Sequence, residues 1–183
     1  KEYRRQRQMC IRDRDLQSLV TSRTLLVSVM AANSETGTIS SLREIVKIVK
    51  NAGAYLHTDA TQLAGRISFN MADLGVDLAS ISGHKMHGPK GVGALAVAQG
   101  TPIAPQSFGG GHERGLRAGT LNTPAIVGFG VAASLAASRF AESMAIQVLR
   151  DELHVNLSQK LEGVSLNGHP TDRLPNTLNL RLS

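Results

Sequence analysis

Lys85 lies in Ile81-Ser82-Gly83-His84-Lys85-Met86-His87-Gly88-Pro89-Lys90-Gly91, a glycine-rich loop between the apolar runs Val76 to Ile81 and Val92 to Ala98. A loop lysine is ordinarily solvated charge. One held between two β-like runs is instead placed by them. Upstream, Ala54-Tyr55-Leu56-His57-Thr58-Asp59-Ala60 reads as a short strand that ends in a carboxylate. If the two strands run parallel, Asp59 and Lys85 emerge at neighbouring carboxyl ends, where open α/β sheets form their ligand crevice. A lysine and an aspartate facing one crevice suit pyridoxal phosphate, whose aldehyde takes the amine as a Schiff base and whose ring nitrogen needs an acidic partner. A nearby carboxylate keeps that nitrogen protonated, and the protonated ring then serves as an electron sink. Ser82, Gly83 and His84 add a hydroxyl, an unhindered backbone N–H and an imidazole for a phosphate.

The elements that must position these groups follow from periodicity. Thr24 to Ala32 is nearly all apolar, the pattern of a strand covered on both faces. The turn Asn33-Ser34-Glu35-Thr36-Gly37 follows it. Ser41-Leu42-Arg43-Glu44 reads as a capping box, and Leu42, Ile45, Val46 and Val49 recur at helical spacing until Asn51-Ala52-Gly53. Strand, helix and strand then make one right-handed crossover. The period of two puts His57 and Asp59 on one side of their strand, with His57 read as a packed, supporting histidine. Asp73 to Ile81 supplies a third strand. Thr123 and Pro124 read as a helix cap and first turn, opening a helical pattern through Val127, Val131 and Leu135 to about Leu161, with Gly163 as its stop. A helix that long bridges two lobes, so a domain boundary is expected near residue 164. Pro175 to Leu182 alternates like an opening strand.

Composition narrows the function classes. The 183 residues are 42% hydrophobic, enough for a core, but only 3% aromatic, which argues against base-stacking surfaces for nucleic acid. Six cations against two acids fall in residues 1–14, so this leader carries four of the six net positive charges and the body is close to neutral. The leader, Gln6 to Arg14 above all, has no apolar periodicity and resembles translated adapter sequence; a native basic tail and a targeting peptide are the alternatives. Residues 1–15 are therefore set apart. No run approaches the length of a membrane span, and no membrane partner is expected. The glycines at 88, 91 and 93 make neither a P-loop nor a dinucleotide fingerprint. His84 and His87 have no cysteine near them, and no metal is expected. Cys10 is the single cysteine. It has basic neighbours but precedes the first core strand, so it is not read as a nucleophile.

Three ordered motifs carry a resemblance. Ser82-Gly83-His84-Lys85 with Gly88-Pro89-Lys90-Gly91-Val92-Gly93-Ala94-Leu95, His57-Thr58-Asp59-Ala60-Thr61-Gln62, and Gly109-Gly110-Gly111-His112-Glu113-Arg114-Gly115-Leu116-Arg117-Ala118-Gly119-Thr120 resemble the cysteine desulfurases of the pyridoxal-phosphate-dependent fold type I superfamily, in the subgroup that serves iron–sulfur assembly and nitrogen fixation. The likeness covers residues 16–183. It implies an α/β fold: residues 16–163 as part of a large cofactor-binding domain, a mostly parallel sheet with helices on both faces and a long linking helix, and residues 164–183 as the start of a small α+β domain. It also implies that Lys85 carries the cofactor, Asp59 meets its ring nitrogen, and Gln62 meets its ring hydroxyl. Thr120 reaches across a homodimer interface to the partner subunit's phosphate. Ser34 stands where the family carries the second of two asparagines, so any contact there has a different reach. The reaction implied is L-cysteine to L-alanine with a persulfide left on an enzyme cysteine, passed to a sulfur-acceptor or scaffold protein in the cytoplasm. That cysteine and the substrate-carboxylate arginine are expected beyond residue 183, so the chain alone is expected to be inactive. Selenocysteine lyase and kynureninase, which share the lysine and the aspartate, remain open, as does a truncated, inactive product.

Overall fold

The computed structural model describes residues 13–183, so Cys10 and most of the leader lie outside the described residues. A short helix α1 (Asp13–Leu19) precedes β1 (Leu26–Met30), α2 (Leu42–Asn51), β2 (Tyr55–Asp59), α3 (Met71–Leu74) and β3 (Leu78–Ser82). A 3-10 turn (Gly83–Met86) leads to β4 (Gly93–Val97), followed by α4 (Thr123–Ser138), α5 (Phe140–Lys160), β5 (Ser165–Leu166) and β6 (Leu180–Arg181). The main sheet has the order β1-β2-β3-β4, with β1, β2 and β3 parallel and β4 antiparallel to β3. The parallel pairing anticipated between the strands ending at Asp59 and before Lys85 is present, with Asp59 in register with Ser80.

The core forms where α2 covers one face of this sheet. Leu42, Ile45 and Val49 of α2 meet Val27, Val29 and Leu56, while Leu16 of α1 and Val76 close the ends. β1 differs from expectation: Val27 and Val29 are buried, but Leu26 and Met30 are each 48% exposed. Its apolar run is therefore covered on alternate residues rather than on both faces.

Other local signals resolve differently. Ser41 is the residue before α2, but its side chain makes no capping bond, and Glu44 turns to Lys47 at 2.8 Å instead of reaching back. The third strand begins at Leu78, not Asp73. Asn70 Oδ1 accepts from the Ala72 and Asp73 amides, and left-handed Gly75 (φ 79°) closes that turn, so Asp73 and Leu74 are held helical. Asn122 rather than Thr123 caps α4, accepting from the Ala125 amide at 3.3 Å. The long helix is also broken. α4 and α5 meet at 67° across Arg139, where the Arg139 amide bonds to Ala136 O in a tightened last turn. Among the described residues no single helix is long and apolar enough to cross a membrane.

The last segment folds back onto the turn after β1. Leu174 is 1% exposed and belongs to the main core cluster, and Thr38 pairs with Arg173 as an isolated bridge. Only Leu180 and Arg181 of the expected closing strand are extended in a ladder, paired with Ser165 and Leu166.

Candidate active site

The candidate groups collect at the carboxyl ends of the three parallel strands. The turn holding Ser34 follows β1, Asp59 ends β2 with Gln62 just beyond, and Ser82 ends β3 with His84 and Lys85 in the turn that follows. Below them His57 ties the strands together: Nδ1 is 2.7 Å from Ser28 Oγ of β1, and Nε2 is 2.8 Å from Ser80 Oγ of β3. A neutral imidazole donates from one nitrogen and accepts at the other, and the two hydroxyls rotate to match. His57 is the supporting histidine its place in the strand predicted. It shares the strand face of Asp59, so the spacing of three strands is held directly beneath that carboxylate.

Asp59 is exposed, and its Oδ1 accepts from the Thr61 amide at 2.9 Å. This local turn orients the side chain and leaves Oδ2 open to accept from a ligand. Ser82 Oγ lies 2.8 Å from His84 Nδ1, which fixes the imidazole and leaves Nε2 outward. Gly83 departs from expectation. Its amide donates to Val92 O at 3.0 Å, so it is not a free donor for a phosphate. Its role is spatial: a Cβ there would meet Pro89 O at 3.1 Å and Phe129 at 3.2 Å, so glycine lets α4 and the β4 approach seat the turn.

Lys85 lines a cavity of about 290 Å³ whose other walls include Arg66, Met86, His87, Arg139 and Asn176. Among the described residues its ammonium has neither hydrogen bond nor ion pair. Arg66 was not anticipated. Burial lowers its guanidinium pKa, and Nη1 donates to Gln62 O at 2.7 Å, tying the Gln62 turn to the cavity wall. Its position four residues after Gln62 was the available signal.

Thr120, expected to serve the partner subunit's site, is exposed in a loop whose Glu113 (φ 49°) and Arg114 (φ 57°) are left-handed. In the same loop Arg117 donates Nη1 to Ala118 O at 2.7 Å. The Ser34 hydroxyl donates to Glu35 Oε1 at 3.3 Å.

The donor set at the strand ends fits pyridoxal phosphate in kind. It holds an amine without a partner in the turn after β3, a carboxylate oxygen without a partner among the described residues at the end of the parallel neighbour β2, and the Ser82 hydroxyl and His84 imidazole in the same turn as the amine. The cavity that Lys85 lines, however, is walled by none of Asp59, Gln62, Ser82 or His84. The glycines set how that amine is presented. A Cβ on Gly88 would lie 2.9 Å from Gly83 O and 3.0 Å from Ala132 Cβ. Gly88→Ala is therefore expected to cost about 1–3 kcal/mol in denaturant unfolding and to weaken cofactor uptake, because backbone rather than a flexible side chain must move.

Comparison with known proteins gives three kinds of likeness. The aminotransferase class-V family model matches residues 2–183. The chain is 49% identical over 160 residues to a cysteine desulfurase IscS from Anaeromyxobacter dehalogenans, covering 86% of this chain and 40% of that relative. It superposes on a NifS-like protein from Rickettsia africae with TM-score 0.90 at 37% identity, covering 96% of this chain and 50% of that one. It also superposes on SspA solved in complex with cysteine, with TM-score 0.78 at 30% identity, covering 95% and 48% of the two chains. The chain thus spans about half the length of the relatives it matches or less.

Proposed function

We propose, from the premise that the chain belongs to the aminotransferase class-V family, that it forms the cofactor-binding part of a pyridoxal-phosphate-dependent cysteine desulfurase. The observation that carries this reading is the parallel pairing of β2 and β3, which puts Asp59, with one oxygen left open, and the turn holding the unpaired Lys85 ammonium at neighbouring carboxyl ends. The 49% identity to a cysteine desulfurase and the superposition on a protein solved with cysteine support that substrate over selenocysteine or kynurenine.

When bound, the cofactor supplies an aldehyde for amines and a sink for the electrons released at the substrate α-carbon. The chain's own residues do the rest. Lys85 Nζ would hold the cofactor, and the same amine would move a proton to and from the substrate α-carbon. Asp59 Oδ2 accepts from the protonated ring nitrogen and keeps it charged. Ser82 Oγ and His84 Nε2 hold the phosphate, with Thr120 given by a second copy of the chain, and the Gln62 side chain meets the ring hydroxyl. The products are L-alanine and a persulfide on a cysteine outside this chain, destined for a sulfur-acceptor or scaffold protein. The working enzyme is a cytoplasmic homodimer.

The test is to incubate the protein with pyridoxal phosphate, reduce with borohydride and map the modified peptide. A single pyridoxyl label on Lys85 is expected, and labelling of another lysine with Lys85 unmodified overturns the reading.

A further inference from the structure

The turn that carries Ser34 is held from both sides. From within, Asn33 Oδ1 accepts from the Glu35 and Thr36 amides, each at 2.9 Å. From outside it is gripped by a segment far along the chain. The Leu174 amide donates to Gly37 O at 2.8 Å, the Ile39 amide to Asp172 O at 2.9 Å, the His169 amide to Thr38 Oγ1 at 3.0 Å, and Asn179 Nδ2 to Glu35 O at 3.0 Å. Close approach is built in, since a Cβ on Gly37 would lie 2.7 Å from Thr177 Cβ and one on Gly168 2.6 Å from Thr38 Oγ1.

At the centre is Arg173, 5% exposed, whose Nη2 donates to Thr36 O at 3.0 Å and to Asn167 O at 2.6 Å. Its Nε is buried without a hydrogen-bond partner. Among the described residues no carboxylate pairs with it directly, and Asp151 acts on it only from a distance. Asp151 accepts from Arg150 Nε at 2.9 Å and Nη2 at 2.6 Å, while Arg150 Nη1 donates to Leu174 O at 2.6 Å. Burial, and then Arg150, lower the Arg173 guanidinium pKa, with Asp151 opposing them. A buried cation held on backbone carbonyls with one donor unmade costs more than packing alone would require. An apolar side chain of similar size would fill the space without that cost. What the guanidinium adds is a directional bond from one chain segment to the carbonyl of the Ser34 turn.

We propose that Arg173 is a positioning residue for the substrate–cofactor site: it sets the height of Ser34 at the end of β1 and passes any movement of the 167–179 segment to that turn. This rests on the cofactor reading above, under which Ser34 stands at the family's second asparagine and so beside the cofactor's ring oxygen and the substrate; the clamp itself does not rest on it. Withdrawing the 167–179 segment must draw Thr36 O, and so Ser34, with it. The site is thereby complete only when that segment is seated.

The test uses Arg173→Met, its conservative partner Arg173→Lys, and Asn179→Ala, which removes the exposed bond to Glu35 O and the acceptor of Asn167 Nδ2 at 2.9 Å but keeps the buried arginine itself. Hydrogen exchange reads the 33–38 amides, and absorbance titration reads pyridoxal phosphate affinity. Arg173→Met is expected to speed exchange at the 33–38 amides about tenfold with β2 and β3 unchanged, and to weaken cofactor binding about tenfold, the equivalent of one good hydrogen bond. Arg173→Lys is expected to recover part of both effects, and Asn179→Ala to show both in smaller measure. Adding Ser34→Ala to Arg173→Met is expected to cause no further loss of affinity, since both act through one hydroxyl. If Arg173→Met does not fold, Asn179→Ala with and without Ser34→Ala decides by the same two readouts. A loosened turn with unchanged cofactor affinity, or losses that add fully with Ser34→Ala, overturns the proposal. If no variant nor the parent chain takes up the cofactor while the exchange pattern holds, the clamp stands and the cofactor reading fails.

Discussion

Asp59→Ala is expected to lower turnover about a thousandfold in the full-length enzyme that the proposal implies, a loss of about 4 kcal/mol of transition-state stabilisation. The size follows from where the charge acts. Asp59 is exposed and makes one local bond, to the Thr61 amide, so its removal leaves the strands and the core intact. Deleting it costs the fold at most about 1 kcal/mol. The carboxylate matters when the ring nitrogen covers it, because a pyridine that loses its proton no longer draws electrons from the substrate α-carbon. Asp59→Asn is expected to fall almost as far, since an amide can hydrogen-bond the nitrogen without holding it charged. Alanine formation from L-cysteine at saturating cofactor measures both variants, and borohydride labelling of Lys85 checks that the cofactor is still in place. A labelled Asp59→Ala protein with an unchanged rate means the acidic partner has been misassigned.

The largest effect on stability is expected at Asp77, away from the site. Its side chain is 12% exposed, both oxygens lie 2.6 Å from Lys50 Nζ, and Oδ2 also accepts from the Leu56 amide at 2.7 Å. Leu56 is fully buried, so Asp77→Ala leaves an amide between two strands with no partner, and strips Lys50 of its counter-charge. The expected loss is about 3 kcal/mol in urea unfolding. Lys50 is 41% exposed and turns to water, so Lys50→Met is expected to cost only about 1 kcal/mol. Asp77→Asn keeps an acceptor for Leu56 and should fall between them. Equal losses for Lys50→Met and Asp77→Ala would show that the ion pair, rather than the amide, is the stabilising contact.

The sequence by itself determined the features that rest on short-range order. The strand ending at Asp59, the strand before Lys85 and the amphipathic helix between β1 and β2 are visible because burial on one side imposes a period on neighbouring residues. The placement of Asp59, Ser82, His84 and Lys85 at neighbouring carboxyl ends was equally visible, since these groups lie within a few residues of strand ends. Tertiary structure decided where local signals competed. Ser41 and Glu44 have the types for a capping box, but Glu44 has Lys47 within reach, and nothing in the four-residue pattern settles that choice. The apolar pattern continues past Arg139 although the backbone turns there by 67°, since periodicity records which side is buried and not the direction of the axis. Gly83 was read as a free donor because its partner, Val92 O, is fixed only when β4 folds back on β3. The Ser34 turn shows the limit most clearly. Its geometry depends on a guanidinium 137 residues away, and no local pattern encodes a bond between Arg173 and a backbone carbonyl that every residue in the chain also possesses.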